Sequence, residues 1–281
     1  MTEKDTNLIP DQRREKLMRL LRRDTVLSVA QLTELLGVSH MTVRRDIAVL
    51  EREGRAYSVP GGVRHASSMR EEPAFATKAV TDRAEKAAIA HIAASLLHDG
   101  MAVYLDAGTT TGALVPAIRA RSGITVVTND YAIVEELTGA ANVDVIHTGG
   151  RLDHTNRSAV GRLAARTLGQ LNTDIAFIST SSWDLGRGVT TPSEPKVEVK
   201  LAAMEGASES VLMTTSGKFG TFGMYDVAPL RRFDRIITDD GLQEAAADGI
   251  RDLGVEVDLA HAETAEDAAA PTRTAGGSSL P

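Results

Sequence analysis

The chain has no cysteine, which excludes a disulfide framework, a thiolate metal site and a thiol nucleophile. Aromatic residues make up only 4% of it, with a single tryptophan, Trp183. No uninterrupted apolar run approaches the ~20 residues a membrane span needs, and Met1-Thr2-Glu3-Lys4-Asp5 lacks the apolar core of a secretion signal. A cytoplasmic protein with no membrane partner, metal or cofactor is therefore expected. Positive charge is in deficit overall, at a net −7, yet residues 1–65 carry a net +3 and the remainder a net −10. A basic module confined to one end is compatible with nucleic-acid binding, and the acidic remainder should keep DNA at a distance. With 281 residues and 42% hydrophobic content, two domains with full cores are expected.

The basic end has the pattern of a three-helix module. Arg13 to Arg23 sets Leu17, Leu20 and Leu21 among five arginines and one lysine, as an amphipathic helix does. Ser28 and Gln31 form a capping-box start for a second helix whose apolar side is Val29, Leu32, Leu35 and Leu36, and Gly37 stops it. Ser39 caps a third helix. At about 100° per residue, Val43, Ile47 and Leu50 share one buried stripe there, while Met41, Arg45 and Ala48 point the opposite way. Helix, short glycine turn, helix is the helix-turn-helix arrangement, and the outward face suits a major-groove reader. Ser39, His40, Met41, Thr42, Arg44 and Arg45 are the candidate DNA contacts, with Arg45 toward base edges and Arg44 toward a base or a phosphate. Asp46 lies nearer the buried stripe and suits structural pairing. After Gly54, Arg55 to Val59 alternates, Pro60-Gly61-Gly62 turns, and Val63-Arg64-His65 returns as a second wing strand. Arg55 and Arg64 are expected on phosphates, where they set affinity and salt dependence.

Residues 10–65 resemble the winged helix of the DeoR family of bacterial transcriptional regulators. The resemblance rests on Val38-Ser39, Thr42-Val43-Arg44-Arg45-Asp46, Leu50-Glu51, Gly54 and Gly61-Gly62. It implies a regulator of sugar catabolism that binds double-stranded operator DNA.

Residues 1–9 are expected to be a disordered N-terminus, 66–81 a polar linker containing Pro73, 82–262 a second domain, and 263–281 a disordered tail. Within the second domain, helical stretches alternate with buried strand candidates at Met101–Asp106, Ile124–Thr128, Val143–His147, Ile175–Ser179, Val211–Thr214, Arg235–Thr238 and Val255–Leu259. That order predicts an α/β domain with a mostly parallel sheet covered on both faces. Ligands of such sheets bind at the carboxyl ends of the strands. Polar residues gather there: Asp106-Ala107-Gly108-Thr109-Thr110-Thr111 before a helix, Thr128-Asn129-Asp130, Thr148-Gly149-Gly150-Arg151, Lys200, and Ser216-Gly217-Lys218. Glycine permits close approach and threonines supply hydroxyls, so a shared anion pocket is expected.

This half also resembles the DeoR family, whose sensor domain is similar to the sugar-phosphate isomerase and CoA-transferase-like fold. The resemblance implies a phosphorylated sugar effector. Gly108, Thr109, Thr110 and Thr111 would hold its phosphate, with Asp106 at the same strand end. Thr128, Asn129, Gly149, Gly150, Lys200 and Lys218 would stand around the sugar or phosphate. One stretch departs from the family pattern: Thr215 stands where an acidic residue is usual. An isomerase with a DNA-binding appendage is the alternative reading. It would need a carboxylate base, for which Asp106 is the best placed and Asp130, Asp153 and Glu194 have no support. His147 and His154 have no paired acid at a diagnostic spacing. A homodimer or homotetramer reading paired half-sites is expected, with the sensor domain as the interface and effector closure altering half-site spacing. Trp183 is placed in a loop beside Gly186 and Gly188.

Overall fold

A computed structural model describes residues 8–59 and 61–262. Residues 1–7, Pro60 of the expected wing turn and the expected tail 263–281 lie outside them.

The head opens with α1 (Pro10–Asp24), where Pro10 occupies a first-turn position whose amide has no helical partner anyway. β1 (Val26–Leu27) leads into α2 (Val29–Leu36). The capping box is formed: the Gln31 amide donates to Ser28 Oγ at 3.1 Å and the Ser28 amide to Gln31 Oε1 at 2.9 Å. Gly37 closes α2 at φ 66°. α3 (His40–Arg52) starts at Ser39, whose Oγ accepts from the Thr42 amide at 3.2 Å. β2 (Ala56–Val59) and β3 (Gly62–His65) form the antiparallel wing, and β1 pairs with β3. A Cβ at Gly62 would lie 2.4 Å from Leu27 O, so only glycine lets β1 approach this closely. Leu17, Leu21, Leu32, Val43, Ile47 and Leu50 pack as one buried core.

Residues 66–81 are not the plain linker expected. They form β4 (Ser67–Ser68) and α4 (Phe75–Val80), both seated on the second domain. Next come α5 (Arg83–Ala93), β5 (Ala102–Leu105), α6 (Thr109–Gly112) and α7 (Val115–Arg119). The helix expected to follow the Gly108–Thr111 stretch is thus two short ones, the first beginning within it. β6 (Ile124–Thr128), α8 (Tyr131–Leu137) and β7 (Val143–His147) follow. A hairpin of β8 (Arg151–Asp153) and β9 (Ser158–Val160) precedes α9 (Arg162–Leu168) and β10 (Thr173–Ser179). β11 (Ser182–Asp184) and β12 (Gly188–Thr191) lead to α10 (Pro195–Glu205) and β13 (Ala207–Met213). β14 (Thr221–Phe222), β15 (Tyr225–Ala228), β16 (Arg235–Asp239), α11 (Glu244–Arg251) and β17 (Glu256–Ala260) complete the described chain.

Seven strands form one sheet in the order β17-β16-β13-β10-β5-β6-β7, every neighbouring pair parallel. Alternate residues feed two cores. Val103, Leu105, Phe177, Val211 and Ile237 face α5 and α8, whereas Tyr104, Ala176, Ile178, Leu212 and Ile236 face α9, α10 and α11. From β5 the chain runs outward through β6 to β7, then crosses back to β10 and runs the other way. The order therefore reverses between β5 and β10. In a doubly wound sheet the crevice for a ligand opens at that point.

Candidate DNA-reading helix and effector site

On α3, Val43, Ile47 and Leu50 are buried, while His40, Met41, Arg44 and Arg45 are exposed and Thr42 is half-buried. Met41 keeps 68% of its surface exposed, so a large apolar side chain stands in water beside two arginines. The face is fixed from behind by Asp46, buried in the head, which accepts from Arg13 Nη2 at 3.0 Å and also from Arg13 Nε. Ser39 Oγ and Thr42 Oγ1 lie 2.9 Å apart at the exposed helix start.

Two residues expected on phosphates have protein partners in this structure. Arg64 turns inward: its Nη2 donates to the Phe219 carbonyl of the second domain, and burial pushes its guanidinium pKa down. Arg55 lies before the wing rather than on it. Its guanidinium pairs with Glu15 at 2.5 Å and Glu53 at 3.1 Å on the surface, so a phosphate would compete with two carboxylates for it.

The wing docks onto the sensor domain through rings. Tyr57 of β2 meets Phe219 edge-on, and Phe219 meets Trp183 in the same manner at 4.9 Å between centroids. Trp183, expected in a loop, lies in β11 and is fully buried. Its Nε1 donates to Thr215 O at 3.4 Å. Arg187 donates to Gly54 O at 2.9 Å and Asp184 at 2.8 Å, with its guanidinium 4.1 Å from the Phe222 ring centre.

At the switch point, Asp106 follows β5 and Ser179 ends β10. Asp106 Oδ2 accepts from the Ser179 amide and Ser179 Oγ, each at 2.9 Å, and from Lys200 Nζ. Lys200 Nζ also donates to Ser179 O at 2.7 Å. This buried pair stitches the two strand ends to α10. Beside it, Lys218 Nζ donates to Thr180 O at 2.8 Å. Burial pushes the Lys218 pKa down to about 8, and Lys78 and Lys86 push the same way against Glu72 and Asp82. The Lys86 ammonium donates to the Lys78 and Thr81 carbonyls. Asp130 caps α8 by accepting from the Ala132 amide at 2.6 Å, and its Oδ2 accepts from the Gly108 amide at 3.0 Å. Burial raises its carboxyl to about 6, with those amides opposing and Asp106 adding to the rise.

The other expected effector residues divide by position. Gly108 packs so closely on Ser179 that a Cβ would lie 2.8 Å from its Oγ. Thr111 Oγ1 donates to Asp106 O at 2.6 Å, and Thr128 Oγ1 to Leu105 O at 2.7 Å, so both hydroxyls serve the loop itself. Asn129 is likewise saturated: it accepts from Tyr104 Oη and the Ala107 amide, and donates to Ala159 O. Thr109 and Thr110 open α6, with Thr110 buried and Thr109 half-exposed. Gly149 and Gly150 sit beyond β7, where a Cβ on Gly150 would press on Ala164 at 3.2 Å; neither lines the switch-point cavity. Of the expected residues, Asp106, Asn129 and Lys200 line that cavity; they are joined by Ser179 to Ser181, Lys196 and Glu72, none of which sequence reasoning singled out. Lys78 of α4 was missed too, because its segment reads as a linker. Among the described residues, no helix is long and apolar enough to cross a membrane, and no group of three metal-ligating side chains is present.

Two family models match the chain: a DeoR-like helix-turn-helix domain over residues 13–69 and a DeoR C-terminal sensor domain over residues 81–240. A helix-turn-helix-type transcriptional regulator of Haemophilus influenzae is 41% identical over 91% of this chain and 99% of that protein. The regulator YgbI of Escherichia coli is 42% identical over 85% of this chain and 94% of that protein. The transcriptional repressor AccR of Agrobacterium fabrum is 33% identical, covering 82% and 89%. Among solved structures, ribose 5-phosphate isomerase A of Methanocaldococcus jannaschii matches 48% of this chain and 53% of that chain, at 14% identity and a TM-score of 0.35. That likeness is too distant to bear on function.

Proposed function

The chain belongs to the DeoR family of transcriptional regulators, and from that premise we propose that it is a repressor released from its operator by a phosphorylated sugar. The carrying observation is Lys218, a cation that burial makes costly and that has a neutral carbonyl, Thr180 O, as its hydrogen-bond acceptor. A site in this condition gains when an anion enters, because the ligand supplies the missing charge where solvent screens it weakly. Glycine and threonine at Gly108 to Thr110, together with Lys200, border the same strand ends. The reading as an isomerase has less support. Asp106, the best-placed base, is committed through Oδ2 to Lys200 and twice to Ser179, with Tyr104 Oη 3.4 Å from Oδ1.

A dimer is part of the proposal, since one small head contacts too little DNA for specific affinity and paired heads match paired half-sites. Effector and operator then oppose each other by linkage, each weakening the other by the same factor. The test is a gel shift on the chain's own upstream region, repeated with ribose, fructose and tagatose phosphates and with the Lys218→Ala variant. The expected result is a shift that one sugar phosphate abolishes for the native chain and leaves intact for the variant. Release of the variant by the same compound at the same concentration would place the effector elsewhere.

A further inference from the structure

Glu72 is an acidic side chain from the segment between the wing and α4, yet it lines the switch-point cavity together with Ser179, Lys196 and Lys200. One carboxylate oxygen lies 2.5 Å from Lys78 Nζ and the other 2.5 Å from Lys196 Nζ, and its side chain is 12% exposed. Lys78 Nζ also donates to Asn156 Oδ1 at 2.6 Å. With Glu72 in place the cavity has room for only about 20 Å³, which is space for a single water. A sugar phosphate is many times that size. Either the effector binds elsewhere or something leaves.

We propose that Lys78 and Lys196, with Asn156 Oδ1 steadying Lys78, form an oxyanion subsite of the effector pocket, that the chain's own Glu72 carboxylate fills it in the ligand-free state, and that an acidic group of the effector takes its place. This rests on the effector reading above and adds how the site opens. The two lysines draw on the Glu72 carboxyl strongly: burial alone would raise its pKa, but Lys196 and Lys78 outweigh burial and hold it at about 2. A group held that firmly in its charged form is a good stand-in for the anion the pocket takes.

The exchange also has a mechanical consequence. Only a short stretch separates Glu72 from the last wing strand, β3. In that stretch Ala66 is buried in the sensor core, β4 pairs in parallel with β14, and the Met69 amide donates to Phe222 O at 2.7 Å. Beyond Glu72, the Phe75 amide donates to Thr155 O at 2.9 Å, and no side chain of α4 is buried. Beyond Ala66 the strap is thus held by main-chain hydrogen bonds, the contact of the Phe75 ring with Arg157 and the largely buried Glu72 carboxylate. Displacing that carboxylate frees the chain that leads directly to the DNA-binding head.

The experiment is calorimetric titration of the full chain, native and Glu72→Gln, with inorganic phosphate and separately with acetate. Removing the internal anion should lower the dissociation constant for one of the two by at least tenfold, and which one identifies the acidic group. Unchanged or weaker binding of both by Glu72→Gln, when the native chain binds and Lys218→Ala does not, overturns this proposal and leaves the effector reading standing. Absence of binding to every variant, extended to the sugar phosphates, overturns both. Hydrogen exchange on the native chain gives an answer even if the variant fails to fold. Amides of residues 67–75 should exchange several-fold faster with saturating phosphate, and slower or equal exchange counts against release of the strap.

Discussion

Tyr57 of the wing and Phe219 of the sensor domain stand edge to face, with ring centres 5.1 Å apart and planes at 77°. The residue before Phe219 is Lys218, whose ammonium donates to Thr180 O at the edge of the switch-point cavity, while the Phe219 carbonyl accepts from Arg64 of the wing. One short turn therefore joins the proposed effector lysine to the contacts that hold the DNA-binding head. On the proposed function, an anion that draws Lys218 toward itself would shift the backbone on which Tyr57 and Arg64 rest. Edge-to-face pairs contribute about 0.5–1.5 kcal/mol beyond burial, comparable in size to ordinary allosteric coupling energies.

Gly220→Ala tests this contact. Its φ is +75°, where an L side chain is strained, and a Cβ would lie 2.3 Å from Tyr57 Cδ2. The backbone strain alone costs roughly 1–2 kcal/mol, and the collision must be relieved by moving the ring. The expected outcome is a chain that still binds operator but responds to effector at least fivefold less, by gel shift with and without sugar phosphate. An undiminished response would show that signal passes by another route, such as the strap.

The arginines divide by role, and salt separates them. Arg45→Ala should weaken operator binding by about 1–3 kcal/mol and relax preference at one base position. Arg44→Ala, if Arg44 holds a phosphate, should lower the slope of log affinity against log salt by about 1. Arg64→Ala should leave that slope unchanged, since its guanidinium is committed to Phe219 O, and should show its loss in thermal stability. A changed slope for Arg64→Ala would mean that the wing detaches from the sensor domain when DNA is bound.

These assignments show what was legible in the chain. The five inner strands were legible from the apolar runs at their centres, because a parallel strand covered on both faces needs no alternation, whereas the edge strands β7 and β17 carry Asp144, Glu256 and Asp258 and stay largely exposed or half-exposed. The recognition helix was legible from its caps and from Val43, Ile47 and Leu50, whose spacing places them on one side whatever the rest of the fold does. The contact of Arg64 with Phe219 O was not legible, because strand alternation says that a side chain faces outward from the wing, not what stands there. Lys78 and Glu72 were missed because their partners lie far along the chain, at Asn156 and Lys196. Local composition around Pro73 carries no trace of such contacts. Trp183 was misplaced for a similar reason: Gly186 and Gly188 mark a turn, but the turn joins two short strands.

Asp46→Asn probes the support behind the reading face. The native carboxylate holds Arg13 through two bonds in a place where solvent scarcely reaches. Neutralising it leaves the guanidinium underpaired, a change that costs about 3 kcal/mol at such sites. Urea denaturation should show that loss in the head, together with weaker operator binding, although Asp46 touches no DNA. Native stability in the variant would mean that Arg13 finds another acceptor.

The pH dependence of effector binding follows from Lys218. Its pKa in the free site is about 8, below the ordinary lysine value, under burial and the nearby Lys78 and Lys86, with Glu72 and Asp82 opposing. An anion stabilises the charged form, so the pKa rises in the complex. Below about pH 8 the ammonium is already charged and affinity is flat in this group. Above it, each binding event must take up a proton, and the dissociation constant should rise about tenfold per pH unit until the higher pKa of the complex is reached. Below about pH 6 a phosphate monoester loses its second charge, and affinity should fall again. Titrations in two buffers of different ionisation heat, at pH 9, should reveal uptake of close to one proton in the native chain and much less in Lys218→Arg, which stays charged throughout. Equal uptake in the two would assign the alkaline limb to a different lysine, with Lys78 or Lys86 the next to substitute.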